Sequence, residues 1–275
     1  MTGADDIRLA VAALSDTGLR RAVNEDSYLA EHPVFAVADG MGGYEAGDRA
    51  SAAVVTAFRT HVAGRALADV EAVRDALLAA DDLVAAVAAD TIRGAGSTVA
   101  GVALTDYDDA PHWLVFNVGD SRVYRFLDGA LEQLTVDHSL GQELVDRGQL
   151  RRDELASFAG RNVITRAIGA SDSMADSWLL PVVAGERLLV CSDGLHSEVD
   201  DDGIRALLAE NADPADAAAA LVARALDNGG RDNVTLIVLD VLAVDVPETT
   251  APRPAWGAGL DVDLDDTVDT VPIGR

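Results

Sequence analysis

Five aspartates of this 275-residue chain, Asp26, Asp39, Asp120, Asp193 and Asp232, share a placement that composition does not explain: each sits at an end of a strand-like run, beside a turn. If those strands belong to one sandwich, the carboxylates converge at one end of it. Two unit charges ~4 Å apart then cost about 4 kcal/mol at an effective dielectric of about 20, and bound cations relieve the repulsion. With oxygen donors and no His or Cys pair at ligand spacing, the set suits hard cations, Mg²⁺ or Mn²⁺ rather than zinc. Arg21 stands four residues before Glu25, in the same stretch as Asp26. A guanidinium beside such a centre is the expected clamp for a phosphate oxyanion, because it offers a bidentate fork and never loses its charge. Its neighbour Arg20 reads as a surface arginine.

These groups need rigid carriers. Val34-Phe35-Ala36-Val37-Ala38 is continuously apolar, the pattern of a strand buried on both faces, and it delivers Asp39 at its end. Gly40, Gly42 and Gly43 then leave the backbone bare for close approach to a ligand. On this stretch alone a strand, an Asp-Gly turn and a following helix explain the residues equally well. Ile7 to Leu14 predicts an opening strand. Ala50, Ala53, Val54, Ala57, Phe58, His61 and Val62 fall at helical spacing, as do Val70, Val73, Leu77, Ala80, Val84 and Val87. Both helices are amphipathic and each covers a sheet with one face; His61 reads as a packing residue. Ser97 to Leu104 predicts a strand. Trp113 to Val118 and Arg122 to Phe126 predict two more, joined as a meander by a tight Gly119-Asp120-Ser121 turn. This order favours antiparallel pairing.

Residues 137 to 168 predict short helices with charged faces, an insertion that reads as a lid over a site or as a surface excursion. Arg187 to Cys191 predicts another strand ending at Ser192-Asp193-Gly194. Asp213-Pro214 opens a helix and Asn228-Gly229-Gly230 closes it. Val234 to Val241, directly after Arg231-Asp232-Asn233, predicts a central strand covered on both faces. From Val246 to Arg275 the composition shifts to Pro, Thr, Ala and Asp without periodicity, predicting a disordered acidic tail after a domain of residues 1 to 245.

The chain has 47 acidic and 21 basic residues, all arginine, for a formal charge of −26. That balance opposes binding to nucleic acid or to anionic lipid, and no apolar run approaches a bilayer's width. One cysteine, Cys191, excludes an intrachain disulfide and a thiolate zinc cluster. Together with the lack of a signal pattern, this predicts a cytoplasmic protein.

The motifs RAVNED, VADGMGG, GST, NVGDSR, ITRAIG, CSDGL and GRDN occur in that order between about Ile7 and Val241. In that order they resemble the bacterial metal-dependent type 2C serine/threonine protein phosphatases. The resemblance implies an α+β fold, a four-layer α/β/β/α sandwich of two antiparallel sheets. It implies a two-metal centre of Mn²⁺ or Mg²⁺ in which Asp39 bridges both ions, the Gly40 carbonyl serves the first, and Asp193 with Asp232 hold the second. Glu25 and Asp26 match acids that hold metal-bound waters, Arg21 the phosphate clamp, and Asp120 with Asp193 a third, weaker ion site. The 137–168 insertion corresponds to the family's flap. The implied reaction is hydrolysis of protein phosphoserine and phosphothreonine by hydroxide, since two cations lower the pKa of a bridging water towards ~7, and no phosphoenzyme is required. The implied partners are phosphoproteins, a serine/threonine kinase among them. Many eukaryotic relatives carry His after the Asp-Gly, a candidate acid for the leaving group, where this chain has Met41. A metal-bound water takes that role by default; His138 is a weaker candidate and reads as structural.

Rival readings fare worse on the residues. A cysteine phosphatase needs an arginine six residues after its cysteine, and six after Cys191 stands Ser197. Asp263-Leu264-Asp265-Asp266-Thr267 matches an aspartyl-nucleophile pattern, but no apolar strand precedes it. Asp261, Asp263 and Asp265 begin like a calcium loop, yet Asp266 stands where Gly is needed and Pro272 where Glu is needed. A non-catalytic phosphoprotein-binding domain of the same fold, and a dedicated anti-anti-sigma-type phosphatase, are the alternatives within the resemblance. In the tail, phosphorylated Thr270 with Ile273 three residues on would suit a forkhead-associated domain; a plain solubilising tail is the simpler expectation.

Overall fold

The computed structural model describes residues 7–42, 46–244 and 260–261. Two antiparallel sheets lie face to face, each covered on its outer side by helices. The first has five strands in the order β1-β11-β10-β7-β8: β1 (Ile7–Asp16), β7 (Arg122–Leu127), β8 (Ala130–Gln133), β10 (Arg187–Cys191) and β11 (Val234–Val244). The second runs β12-β9-β6-β5-β3-β2, with β4 (Gly96–Ser97) paired to β3. Its other strands are β2 (Asp26–Glu31), β3 (Val34–Met41), β5 (Val99–Tyr107), β6 (Ala110–Val118), β9 (Asp176–Pro181) and β12 (Leu260–Asp261).

Three apolar layers hold these sheets, and period-2 alternation sorts the residues between them. On β3, Phe35 and Val37 face the other sheet, where they meet Leu188, Val190, Ile237 and Leu239. Val34, Ala36 and Ala38 face α1 (Gly47–His61) and α2 (Val70–Ala89), packing with Val54, Phe58, Val73 and Leu77. Phe58 stacks on Phe116 of β6 at 4.9 Å between ring centroids. Beneath the five-stranded sheet, Leu189, Leu236 and Val238 meet α5 (Asp201–Glu210) and α6 (Pro214–Asp227) through Ile204, Leu208, Leu221 and Ala225. Strands covered on both sides explain the unbroken apolar runs at Val34 and Val234. The α+β sandwich in four layers is the architecture expected.

One expectation needs correcting. β6 and β7 are not neighbours: β6 pairs with β5 and β9, β7 with β10 and β8. The Gly119-Asp120-Ser121 turn instead carries the chain from one sheet to the other. Strands buried on both faces carry no alternation that names a partner, so adjacency in sequence was misleading here. Residues 137–168 hold α3 (Leu140–Asp146) and a 3-10 turn (Arg152–Ser157). Of the tail from Val246 to Arg275, only Leu260 and Asp261 are described, paired with Leu179 and Trp178; Thr267, Thr270 and Ile273 lie outside the described residues. No described helix is long and apolar enough to cross a membrane.

Candidate metal centre

β2 and β3 are in register such that Asp26 stands directly opposite Asp39. Like charges facing each other across a ladder are destabilising, and Asp39 has the parity of Phe35 and Val37, so it points into the space between the sheets. From the other sheet, β10 ends at Cys191 and α4 (Asp193–His196) begins two residues later, bringing Asp193 to the same place. Ser192 Oγ donates to Asp26 Oδ2 at 2.8 Å, which ties the two sheets together beneath the acids. Asp232 precedes β11, and Asp120 sits on the turn between β6 and β7.

The GST motif is the other tie. Thr98 Oγ1 accepts from the Asp39 backbone N–H at 3.0 Å and pairs with Ser121 Oγ at 2.7 Å, linking Asp39 to the Asp120 turn. Asn233 Oδ1 accepts from the Glu25 N–H at 2.9 Å, while Asn233 Nδ2 donates to the carbonyls of Thr17 and Val23. The RAVNED loop is thereby fastened to the GRDN loop. Arg21 Nη2 donates to Asp232 Oδ2 at 2.6 Å and its Nη1 lies 3.8 Å from Glu25 Oε2. The Gly40 N–H donates to the Glu25 carbonyl at 3.1 Å. No side chain fits at Gly40, because a Cβ there would overlap the Gly47 carbonyl and stand 2.7 Å from the Glu25 carbonyl oxygen.

All eight residues expected at a site, Arg21, Glu25, Asp26, Asp39, Gly40, Asp120, Asp193 and Asp232, are therefore brought to one end of the sandwich. The electrostatics are those of a crowd of acids. Burial, then the charges of Asp26, Asp193, Asp120 and Asp232, hold the Asp39 carboxyl well above the ordinary carboxylate range. Burial and the charge of Asp193 do the same to Asp120. Burial lifts Asp26 to about 7 against the Ser192 hydrogen bond, and burial with the charge of Asp232 lifts Asp193 to about 6. Partial burial pulls the Arg21 guanidinium down, but the Asp232 hydrogen bond and the charges of Asp232, Asp39 and Glu25 raise it overall, so it stays a cation.

The donor set fits divalent cations on a direct observation: Asp26 Oδ1, Asp120 Oδ1 and Asp193 Oδ1 are buried carboxylate oxygens with no hydrogen-bond partner. Groups in that condition are costly unless something pairs with them. Among the described residues no three acidic, His or Cys side chains close into a cage by themselves. Backbone carbonyl and water are the ligands left to complete such a sphere, as hard cations accept.

Four residues that sequence reasoning did not single out support the acids: Thr98, Ser192, His196 and Asn233. His196 is half-buried, its Nε2 donates to the Asp120 carbonyl at 3.0 Å, and desolvation with the nearby Arg122 charge lowers its pKa to about 3, so it stays neutral. For Thr98, Ser192 and Asn233 the signal lay in the small polar residues of GST, CSDG and GRDN; His196 stands just beyond CSDGL. Cys191 is fully buried and burial pushes its thiol up to about 12, which leaves no nucleophile there.

Comparison with known proteins identifies the family. The model of the protein phosphatase 2C family matches residues 20–228. The serine/threonine protein phosphatase PstP of Mycobacterium tuberculosis is 36% identical over 244 residues, 88% of this chain and 46% of PstP, so the chain spans about half the length of that relative. The serine/threonine phosphatase stp of Listeria monocytogenes is 29% identical over 248 residues, 82% of this chain and 93% of stp. Among solved structures, M. tuberculosis PstP/Ppp superposes with a TM-score of 0.78 at 35% identity, covering 86% of this chain and 99% of that one. The catalytic domain of PstP in complex with two manganese ions gives 0.77 at 34% identity, covering 86% and 99%. With most of its length matched by the family model and its acids gathered as described, the chain belongs to the protein phosphatase 2C family.

Proposed function

We propose that the chain hydrolyses phosphoserine and phosphothreonine in proteins with the help of two divalent cations. The observation that carries this reading is the set of buried, unpartnered oxygens on Asp26, Asp120 and Asp193, at a site where Asp26 faces Asp39 across neighbouring strands. In this reading Asp39 would serve both ions, the Gly40 carbonyl would help hold one, and Asp193 with Asp232 would hold the other. Glu25 and Asp26 act through water, and Asp120 with Asp193 offer a third, weaker position. Mn²⁺ and Mg²⁺ both suit the oxygen set, and the PstP complex with manganese favours Mn²⁺. When bound, the cations polarise a water molecule and offset charge on the phosphoryl oxygens.

The protein's own part is positional. Arg21, 46% exposed at its side chain, reaches outward from Asp232 and presents a guanidinium to an incoming phosphate. Thr98 and Ser192 hold the acids of the two sheets in fixed relation, so the site pays little reorganisation when charge develops. Met41 supplies no proton, which leaves the leaving group to be protonated from solvent within the site. Substrates are phosphoproteins, a serine/threonine kinase of the same cell among them, and the lone buried Cys191 agrees with a cytoplasmic setting. Phosphorylated Thr270 in the tail is a candidate ligand for a forkhead-associated domain; mass spectrometry after kinase treatment tests it, and unmodified Thr267 and Thr270 count against it. The enzyme reading is tested with para-nitrophenyl phosphate and a phosphothreonine peptide, with and without Mn²⁺, beside Asp193→Ala. Metal-dependent turnover that Asp193→Ala abolishes is expected. A purified chain that binds phosphopeptide yet shows no turnover would establish a binding module instead.

A further inference from the structure

The Asp120 carboxylate has a buried oxygen without a partner, so the backbone around it must set where it points. That backbone is gripped by two imidazoles. On one side His196 donates to the Asp120 carbonyl. On the other, the Gly119 N–H donates to His138 Nδ1 at 3.1 Å, and the His138 N–H donates to the Gly119 carbonyl at 2.9 Å. With Nδ1 accepting, the ring proton sits on Nε2 and donates to Asp176 Oδ2 at 3.1 Å. Arg166 Nη1 in turn donates to Asp176 Oδ1 at 2.8 Å. His138 is buried, and it is the second residue of the 137–168 segment, whose far end returns to it: the Thr165 N–H donates to the His138 carbonyl at 2.9 Å. Its neighbour Asp137 holds Arg122, just after the Asp120 turn, at 2.7 Å.

We propose that His138 is a positioning residue for Asp120: its Nδ1 orders the Gly119-Asp120 peptide, while Nε2 ties the ring to Asp176 and Arg166. This rests on Asp120 being a metal-site carboxylate. The ring does two separable things. Nδ1 orders the turn, and Nε2 anchors the ring to the segment beyond the flap. An asparagine at this position keeps an acceptor near Nδ1 and loses Nε2; a glutamine does the reverse.

The test is Mn²⁺ titration by calorimetry, with kcat and KM measured alongside, on wild type, His138→Asn and His138→Gln. Expected is a loss of about tenfold or more in the affinity of at least one Mn²⁺ step for His138→Gln, the scale seen when a residue that orients a metal ligand is lost. His138→Asn stays within about threefold of wild type on the same step. KM for para-nitrophenyl phosphate, measured at saturating Mn²⁺, is unchanged in both. The proposal is overturned if the two variants bind Mn²⁺ alike, whether both resemble wild type or both are weakened. Should His138→Gln not fold, His138→Ser takes its place, removing the acceptor from the Nδ1 position; an unchanged Mn²⁺ isotherm then overturns the proposal. A wild-type chain that binds no Mn²⁺ would remove the metal reading of Asp120 itself, which is a different failure.

Discussion

Stripping divalent cations from this protein should make it less stable as the pH rises. Asp26 shows why. It is buried opposite Asp39, and its carboxyl is lifted from an ordinary 3.8 to about 7 by burial and by the charges of Asp193 and Asp232, the Ser192 bond notwithstanding. The folded chain therefore holds this proton to higher pH than the unfolded chain does. Between 3.8 and about 7 the folded state binds more protons, so stability falls as pH rises through that window and levels off above it. From pH 5 upward the cost from Asp26 is about 3 kcal/mol at roughly 1.4 kcal/mol per tenfold change in acidity. For a chain of this size that is a fall of roughly 6–12 °C in Tm. The assay is differential scanning calorimetry at pH 5 and pH 8 in EDTA, then at pH 8 with Mn²⁺. The surplus of acidic residues adds general repulsion of the same sign, so the Asp26→Asn variant carries the test. It removes the buried charge while keeping an acceptor for Ser192 Oγ. Its Tm in EDTA at pH 8 should exceed that of wild type by about the amount lost, and Mn²⁺ should stabilise it less. A wild-type Tm that is flat or rises from pH 5 to 8 in EDTA, or an Asp26→Asn slope equal to that of wild type, would refute the reasoning.

Arg21→Ala should lower kcat/KM for a phosphopeptide by about 10²-fold or more while Mn²⁺ binding changes little, with Arg21→Lys recovering only part because the bidentate fork is gone; steady-state kinetics decides, and equal loss of Mn²⁺ affinity would place Arg21 elsewhere. Thr98→Val is nearly isosteric but orphans the Asp39 N–H and unlinks Ser121, costing ~1–3 kcal/mol by denaturant unfolding and raising the Mn²⁺ needed for half-maximal activity. Gly40→Ala forces the backbones of Gly40 and Gly47 apart, so calorimetry should show both a lower Tm by several degrees and a lost Mn²⁺ step; normal Mn²⁺ binding would show that the loop yields freely.

Much of this site was readable because Asp39 and Asp193 end, and Asp232 directly precedes, strands that are apolar at nearly every position. Such runs at Val34 and Val234 have to be covered on both faces, and whatever ends them is held rigidly. What could not be read was which strands are neighbours. β6 is buried on both faces and β7 is short with only Val123 and Tyr124 buried, so neither carries the alternation that would name its partner, and the Gly119 turn passed for a hairpin. α5 escaped because its apolar positions Ile204, Leu207 and Leu208 are few and Gly203 interrupts its first turn. β9 escaped because a short strand of polar start, Asp176-Ser177, has only Trp178, Leu179 and Leu180 to announce it. The supporting residues Ser192, Thr98 and Asn233 were inside the quoted motifs, but a small polar side chain declares its role only once the sheet across from it is known.

The hydrogen bonds from Ser192 to Asp26 and from Thr98 to Ser121 each join one sheet to the other. The site is thus a seam, and its dimensions are those of the apolar layer between the sheets. Substituting Val102, Leu188 or Ile237, which belong to the apolar layer between the sheets, would slide or spread the two halves and move opposing acids relative to one another. In this architecture interior volume acts as a tuning screw for turnover, so a screen for altered catalytic rate or metal preference should find its hits in the hydrocarbon filling as well as among the acids.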